Sequence, residues 1–215
     1  MKRLAVFDFC DTLVSFQTAD EFTFFVGKRK NFLKYYPLRI IHYALSKFPM
    51  ITNRLSFKKF YLWQLKGISS NEMNILAEAY FEEKIYPNLN LNILKKLQDH
   101  IKNQDKVLII SGGYTVYLKA FADFYGKIEI IATDLSTINK IYTGTIDGDD
   151  CLGIEKLKKL SNKFNLSDYD LENSSGYTDS LMDLPLISLF GSKFLVDIGQ
   201  RNDWAKTLGW KIISP

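Results

Sequence analysis

From Pro87 to the C-terminus the sequence alternates short, unbroken apolar runs with stretches of helical spacing, and this alternation constrains the fold more than any other feature. Residues 90–103 are spaced as an amphipathic helix. Residues 106–111 read as a strand ending in Gly112-Gly113, 114–125 as a helix and 128–133 as a strand. Residues 137–147 read as a hairpin with turns near Asn139 and Gly144. A helix over 153–164, a strand over 172–177, a helix from 180, a strand over 194–197, a helix over 202–208 and a strand over 210–213 complete the series. Near the N-terminus, residues 3–9 form one more apolar run. Apolar runs without polar alternation suit strands covered on both faces, and strands separated by helices build a parallel sheet. Right-handed crossovers make it an α/β, doubly wound, Rossmann-like sheet.

Residues 15–86 interrupt this pattern. They carry long stretches of helical spacing punctuated by Pro37, Pro49 and Pro87, and read as an inserted α-helical cap. The expected division is a catalytic core over 1–14 and 87–215, with the cap over 15–86. A chain of 215 residues with 47% hydrophobic content suits a core with a modest insert. The insert is also where the charge is lopsided. From Lys28 to Lys66 there are ten Lys or Arg residues and no Asp or Glu, although the net charge is only +4. Acidic residues gather near Asp8, Asp147 to Asp150 and Asp168 to Asp183. A basic segment facing an acidic one points to an anionic ligand held against a metal site; a solvated basic face explains the charge equally well.

Several classes are set aside. Two cysteines are too few for a disulfide scaffold. The N-terminus runs straight into a strand without a signal-like apolar stretch, and no run is long enough to span a membrane, so the cytoplasm is the expected compartment. No nucleic-acid motif accompanies the basic segment. His42 and His100 lack ligand spacing. Phe32, Tyr35, Tyr36, Tyr43, Phe48, Phe57, Tyr61 and Trp63 read as cap core, with a basic-aromatic surface resting on anionic lipid as the alternative.

In open sheets of this kind, ligands sit at the carboxyl ends of the strands. The first strand offers Asp8, Cys10, Asp11 and Thr12 there, the second Ser111, Gly112 and Gly113, and the strand before 178 offers Asp179 and Asp183; Lys156 opens the helix after the hairpin. Asp8 and Asp179 suit Mg2+, a hard cation that takes oxygen ligands. Ser111 and the glycine amides suit phosphate oxygens. Lys156 can neutralise a phosphate together with an attacking carboxylate. Asp8 then serves as nucleophile through an aspartyl phosphate. Asp179 and Asp183 are expected on one side of the first turn of a helix starting near Ser180, with Asp183 acting behind the metal to orient ligands or Lys156.

These residues resemble the haloacid dehalogenase superfamily of phosphatases across nearly the whole chain. Residues 6–13 (Val-Phe-Asp-Phe-Cys-Asp-Thr-Leu), 109–113 (Ile-Ile-Ser-Gly-Gly), 151–156 (Cys-Leu-Gly-Ile-Glu-Lys) and 176–185 (Gly-Tyr-Thr-Asp-Ser-Leu-Met-Asp-Leu-Pro) look like its four motifs in order. The insert is similar to the helical cap of the phosphoserine phosphatase-like branch. The resemblance implies Mg2+ held by Asp8, Asp179 and the backbone carbonyl of Cys10. It implies Asp8, Cys10 and Lys156 as catalytic groups, and Thr12, Ser111, Gly112 and Lys156 as phosphate contacts.

Two departures bear on activity. The resemblance leads one to expect a second Asp two residues after the nucleophile, to protonate the leaving alcohol and activate water; here stands Cys10, a poor base while protonated. Asp11 is the alternative acid/base. Nine residues after the nucleophile the phosphoserine phosphatases carry a Glu for the substrate ammonium; here stands Gln17, read either as a substrate contact or as a helix-cap neighbour. The expected function is hydrolysis of a small phosphorylated metabolite, anionic beyond its phosphate. A sugar phosphate or an amino-alcohol (amide) phosphate of surface or capsular polysaccharide synthesis fits this. A phosphotransferase, a lipid-phosphate phosphatase docked on the membrane through its basic cap, and a phospholigand-binding scaffold without turnover are the alternatives.

Overall fold

The structure is a computed structural model that describes residues 1–30, 32–46, 58, 60–199 and 202–215. Phe48, Phe57 and Pro49, and the side chain of His42, lie outside the described residues. The apolar runs pair into one seven-stranded sheet. Its strands are β1 (Leu4–Phe7), β2 (Lys106–Tyr114), β3 (Ile128–Ile138), β4 (Ile141–Asp147), β5 (Ser175–Thr178), β6 (Ser192–Val196) and β7 (Lys211–Ile213). The order is β4-β3-β2-β1-β5-β6-β7. Only β4 is antiparallel, and it is joined to β3 by a tight turn. Asn139 and Lys140 both have positive φ there, the geometry of a two-residue turn matched to strand twist. Gly144 is not a turn. It lies within β4 at φ +81, where the carbonyl of Leu62 approaches.

Helices α1 (Thr18–Lys30), α2 (Phe32–Ser46) and α3 (Ser70–Tyr80) fall between β1 and β2, before α4 (Leu91–Lys102). Helix α5 (Thr115–Tyr125) follows β2, α6 (Ile154–Lys163) follows the hairpin, and the short α7 (Leu184–Ile187) and α8 (Asp203–Thr207) flank β6. Pro37, expected as a breaker, lies inside α2. The helix expected from 180 is reduced to one tight turn, Leu181–Asp183, and a single turn of α7. Pro185 stands in that first turn and has no amide proton to give, which costs nothing there.

Two apolar clusters cover the sheet. One joins Phe7, Val107 and Ile109 to Tyr117 and Phe121 of α5, and to Phe22, Val26, Leu65, Met73 and Tyr80 of the insert. The inserted helices therefore share a continuous apolar core with the sheet. The other packs Val6, Leu108, Leu160, Ile187 and Trp210 on the opposite face.

The parallel pairing puts Phe7 beside Tyr177 and Tyr177 beside Phe194. Their rings stack at 4.3 Å and 4.6 Å, within a few degrees of parallel. This ladder pins the register of β1, β5 and β6, since a one-residue slip of any one strand would turn its ring to the other face and break the stack. With Phe7 opposite Tyr177, Asp8 falls beside Thr178 and Asp179. His100 closes the ladder, its Nε2 2.9 Å from the Tyr177 hydroxyl and its Nδ1 2.7 Å from Asp105. We expect Tyr177→Phe to cost about 1 kcal/mol, the loss of one hydrogen bond. Tyr177→Ala should cost about 3–5 kcal/mol. Chemical denaturation of both variants checks this, and equal costs would mean that the stack contributes nothing.

Candidate active site

Asp8 continues the sheet past β1, its amide donating to the Tyr177 carbonyl at 2.9 Å. The chain then turns sharply: the amides of Thr12, Leu13 and Val14 all converge on the Phe9 carbonyl, and Asp11 takes φ 53. The turn sends the Cys10 side chain toward the start of α1, where its sulfur lies 3.0 Å from Thr18 Oγ1 and accepts from the Thr18 amide at 3.5 Å. Asp11 points elsewhere, accepting a hydrogen bond from the Gln17 amide. Thr12 is fully buried and donates to Asp179 Oδ1 at 3.2 Å.

Ser111 is fully buried near the end of β2 and accepts from the Gly113 amide at 3.1 Å. The glycines after it permit close packing. A Cβ on Gly112 would come within 2.4 Å of the Leu152 side chain, and one on Gly113 within 2.4 Å of the Tyr117 hydroxyl.

From the first turn of α6, Lys156 donates to Asp8 Oδ1 at 2.8 Å and to Asp183 Oδ2 at 2.7 Å. Thr178 also donates to Asp183, at 2.7 Å, and accepts from the Ser180 amide. Asp179 and Asp183 thus flank a tight turn and serve different partners.

Asp8, Cys10, Gln17, Ser111, Gly112, Lys156, Asp179 and Asp183 line one cavity of about 160 Å3, together with Asp20, Lys58 and Asp150. Neither Thr12 nor Asp11 is among its lining residues. Burial pushes the Asp8 carboxyl up to about 7; Lys156 pulls it down, and the charges of Asp183 and Asp179 add to the rise. Burial also disfavours the Lys156 ammonium, but Asp8 and Asp183 outweigh it and hold the lysine charged. Asp179 is raised as well, chiefly by burial. The Cys10 thiol is pushed up to about 11 by burial and by the Asp8 charge, which keeps it protonated at neutral pH.

The described lining holds five carboxylates against two ammonium groups. That excess, and the raised carboxyls of Asp8 and Asp179, are the signature of a site short of a cation. Asp8 Oδ2 has no hydrogen-bond partner among the described residues. No three His, Cys, Asp or Glu side chains form a ready-made cage among them. Mg2+ does not require one, since it binds through one or two carboxylates and fills its shell with water and phosphate oxygens. The donor set therefore fits that ion.

Lys58 and Asp150 were not legible as site residues. Lys58, from the insert, donates to Asp150 Oδ1 at 2.6 Å and to the Gly112 carbonyl at 2.7 Å. Thr133 of β3 donates to the same Asp150 oxygen at 2.7 Å. The only sequence signal was an unmatched basic segment and an acidic cluster, with nothing to pair one member of each.

In sequence and fold the chain resembles known phosphatases. A histidinol-phosphatase of Neisseria meningitidis serogroup C is 27% identical over 165 residues, 74% of each chain. A phosphoserine phosphatase of Mycobacterium tuberculosis is 23% identical over 214 residues, 97% of this chain and 69% of its own. In fold, a Bordetella pertussis protein of unknown function superposes with a TM-score of 0.85 at 21% identity, covering 99% of this chain and 98% of its own. The apo form of a phosphoserine phosphatase gives 0.60 at 17% identity, covering 91% and 86%. The family model of haloacid dehalogenase-like hydrolases matches residues 5–188, from the first strand to beyond the last cavity carboxylate, and the chain belongs to that family.

Proposed function

We propose that this hydrolase is a phosphatase that opens a small phosphomonoester by attack of the Asp8 carboxylate on phosphorus. The observation that carries the reading is the buried Asp8–Lys156–Asp183 arrangement on the wall of a cavity that Ser111 and Gly112 also line. Lys156 fixes Asp8 through Oδ1, which leaves Oδ2 to form the new bond. As the P–O bond to the alcohol breaks, the leaving oxygen takes a proton, for which the Cys10 thiol on the wall of the same cavity is the candidate donor. Asp8 is left as an aspartyl phosphate, which water then hydrolyses. Ser111, Gly112 and Lys156 receive the phosphate oxygens. Thr12 supports Asp179 rather than touching phosphate. Mg2+, held by the Asp8 and Asp179 carboxylates and the Cys10 backbone carbonyl, would supply the charge that lets a phosphate dianion approach a carboxylate. Residues 15–86 serve as the cap, contributing Gln17, Asp20 and Lys58 to the cavity.

For the organic part of the substrate, an amino-alcohol phosphate or its amide is better supported than a second anion. Of the ten bases from Lys28 to Lys66, four are matched by acids among the described residues: Arg29 pairs with Glu83, Lys30 with Glu72, Arg39 with Glu21 and Lys58 with Asp150. Facing the cavity, carboxylates predominate. A sugar phosphate of an envelope polysaccharide route remains within the same reading where its sugar is neutral.

A Mg2+-dependent phosphate-release screen over phosphorylated amino alcohols, their amides and sugars tests this. We expect Asp8→Asn to lose activity by on the order of 10^3-fold or more on every substrate turned over. Undiminished turnover in that variant would end the proposal.

Cys10 bears on the second half-reaction. The thiolate left when Cys10 gives its proton to the leaving alcohol is disfavoured by burial and by the Asp8 charge and regains a proton from solvent, so water meets the phosphoenzyme with no base beside it and breakdown is slow. A carboxylate in its place would meet the Thr18 amide and hydroxyl, which already face the sulfur. We expect Cys10→Asp to raise steady-state turnover by about 10^2-fold and to lower phosphoenzyme accumulation in quenched-flow measurements. Lower turnover with unchanged accumulation would contradict this. Acceptor alcohols added to the wild type separate hydrolysis from phosphotransfer.

A further inference from the structure

Lys58 reaches the cavity from the insert, and its ammonium is held on several sides. The buried side chain donates to Asp150 Oδ1 at 2.6 Å and to the Gly112 carbonyl at 2.7 Å, with its nitrogen 5.1 Å from the centre of the Tyr114 ring. Thr133 is the other side chain near these oxygens, 2.7 Å from Asp150 Oδ1 and 3.3 Å from the Gly112 carbonyl. A hydroxyl has one proton to give. Thr133 gives it to the nearer, charged oxygen, while its own oxygen accepts from the Cys151 amide at 3.0 Å. Among the described side chains, Lys58 is thus the donor to the Gly112 carbonyl. That carbonyl shares a peptide group with the Gly113 amide, which donates to Ser111 Oγ at 3.1 Å. Ser111 is fully buried and lines the cavity.

We propose, resting on the phosphatase reading, that Lys58 is a positioning residue for phosphate: through the Gly112–Gly113 peptide it sets the direction in which the Ser111 hydroxyl donates. A cation on a peptide carbonyl draws electron density from the N–H of the same peptide and makes it a stronger donor, so bonds along a buried chain reinforce one another. The Gly113 amide then holds one lone pair of Ser111 Oγ. The hydroxyl proton turns away from that amide, and no described residue accepts it. A phosphate oxygen in the cavity is placed to do so. Asp150 keeps the ammonium where it is, since a buried charge needs a close partner. Lys58 belongs to the insert and Ser111 to β2, so phosphate meets a directed hydroxyl when the insert is seated on the sheet.

The test is calorimetric titration of the full chain with inorganic phosphate at saturating Mg2+. We expect Lys58→Met to bind phosphate about tenfold more weakly, the loss of one charge-assisted hydrogen bond. In a Ser111→Ala background the same change should weaken binding by less than about twofold, because its route to phosphate is already cut. The Gly113 amide reports the link without phosphate: its nitrogen and proton resonances should move upfield in Lys58→Met. Lys30→Met, which breaks another ion pair of the insert, that with Glu72, should change neither reading. Lys58→Gln keeps a donor without the charge; it serves should the methionine variant unfold, with a loss of roughly threefold or more. Additive losses in the double variant overturn the proposal and make Lys58 a direct phosphate contact. Unchanged phosphate affinity or an unmoved Gly113 resonance overturns it as well. So does an equal effect of Lys30→Met, which would mark a general loosening of the insert. A wild type that binds no phosphate overturns the phosphatase reading, and the role of Lys58 with it.

Discussion

The ammonium of Lys156, buried between Asp8 and Asp183, is the interaction on which the rest of the site depends. Taking a charge out of water costs several kcal/mol, and only close, well-directed partners offset it. Here two carboxylates meet one ammonium, so the cluster retains one negative charge, with Asp179 close by. Burial is what chiefly lifts Asp8 toward neutrality, and the charges of Asp183 and Asp179 add to it. The excess of acid gives the cavity a negative lining, which a bound cation would balance.

Such a cluster needs backbone that does not drift. Its three side chains come from the ends of β1 and β5 and from the first turn of α6, far apart in sequence. The Phe7–Tyr177–Phe194 ladder fixes the strand ends against each other. On the other side of β1, Gly112 and Gly113 let Leu152 and Tyr117 pack closely against the backbone that follows Ser111. Tyr117 reaches Thr18 at 2.6 Å, and Thr18 in turn meets Cys10. One chain of contacts therefore runs from the Ser111 loop through α5 and the start of α1 back to the turn that follows Asp8.

What the sequence disclosed, and what it hid, follows from the range of the interactions. Asp8, Ser111 and Asp179 stand where a hydrophobic run stops, a local signal. Lys156 opens a helix at motif spacing. The parallel, doubly wound character of the sheet was legible from the alternation, because crossovers have one hand, whereas the strand order was not. The Lys58–Asp150 pair joins residues 92 apart, and each sits in a run of like charge where no neighbour distinguishes it. The ten-residue surplus of base between 28 and 66 looked like a binding surface for an anion. In space, acids from α1, α3 and the segment before Tyr86 meet three of its members, Arg39, Lys30 and Arg29. The helix expected from Ser180 failed for a local reason: the Ser180 side chain caps a tight turn by accepting from Met182, which swings Asp183 back toward Thr178.

Helix α1 is where the two surfaces of the insert meet. Phe22 packs inward on Tyr80 and Tyr117, both in the core, while Phe24 packs outward on Tyr35 of α2. Because the sheet cluster already consumes the inner face of α1, α2 is left as an outer layer with nothing of the described chain to cover its far side. Phe22, Val26, Leu65, Met73 and Tyr80 close the inner cluster, so the exposed apolar side chains of α2 take no part in the core on the sheet.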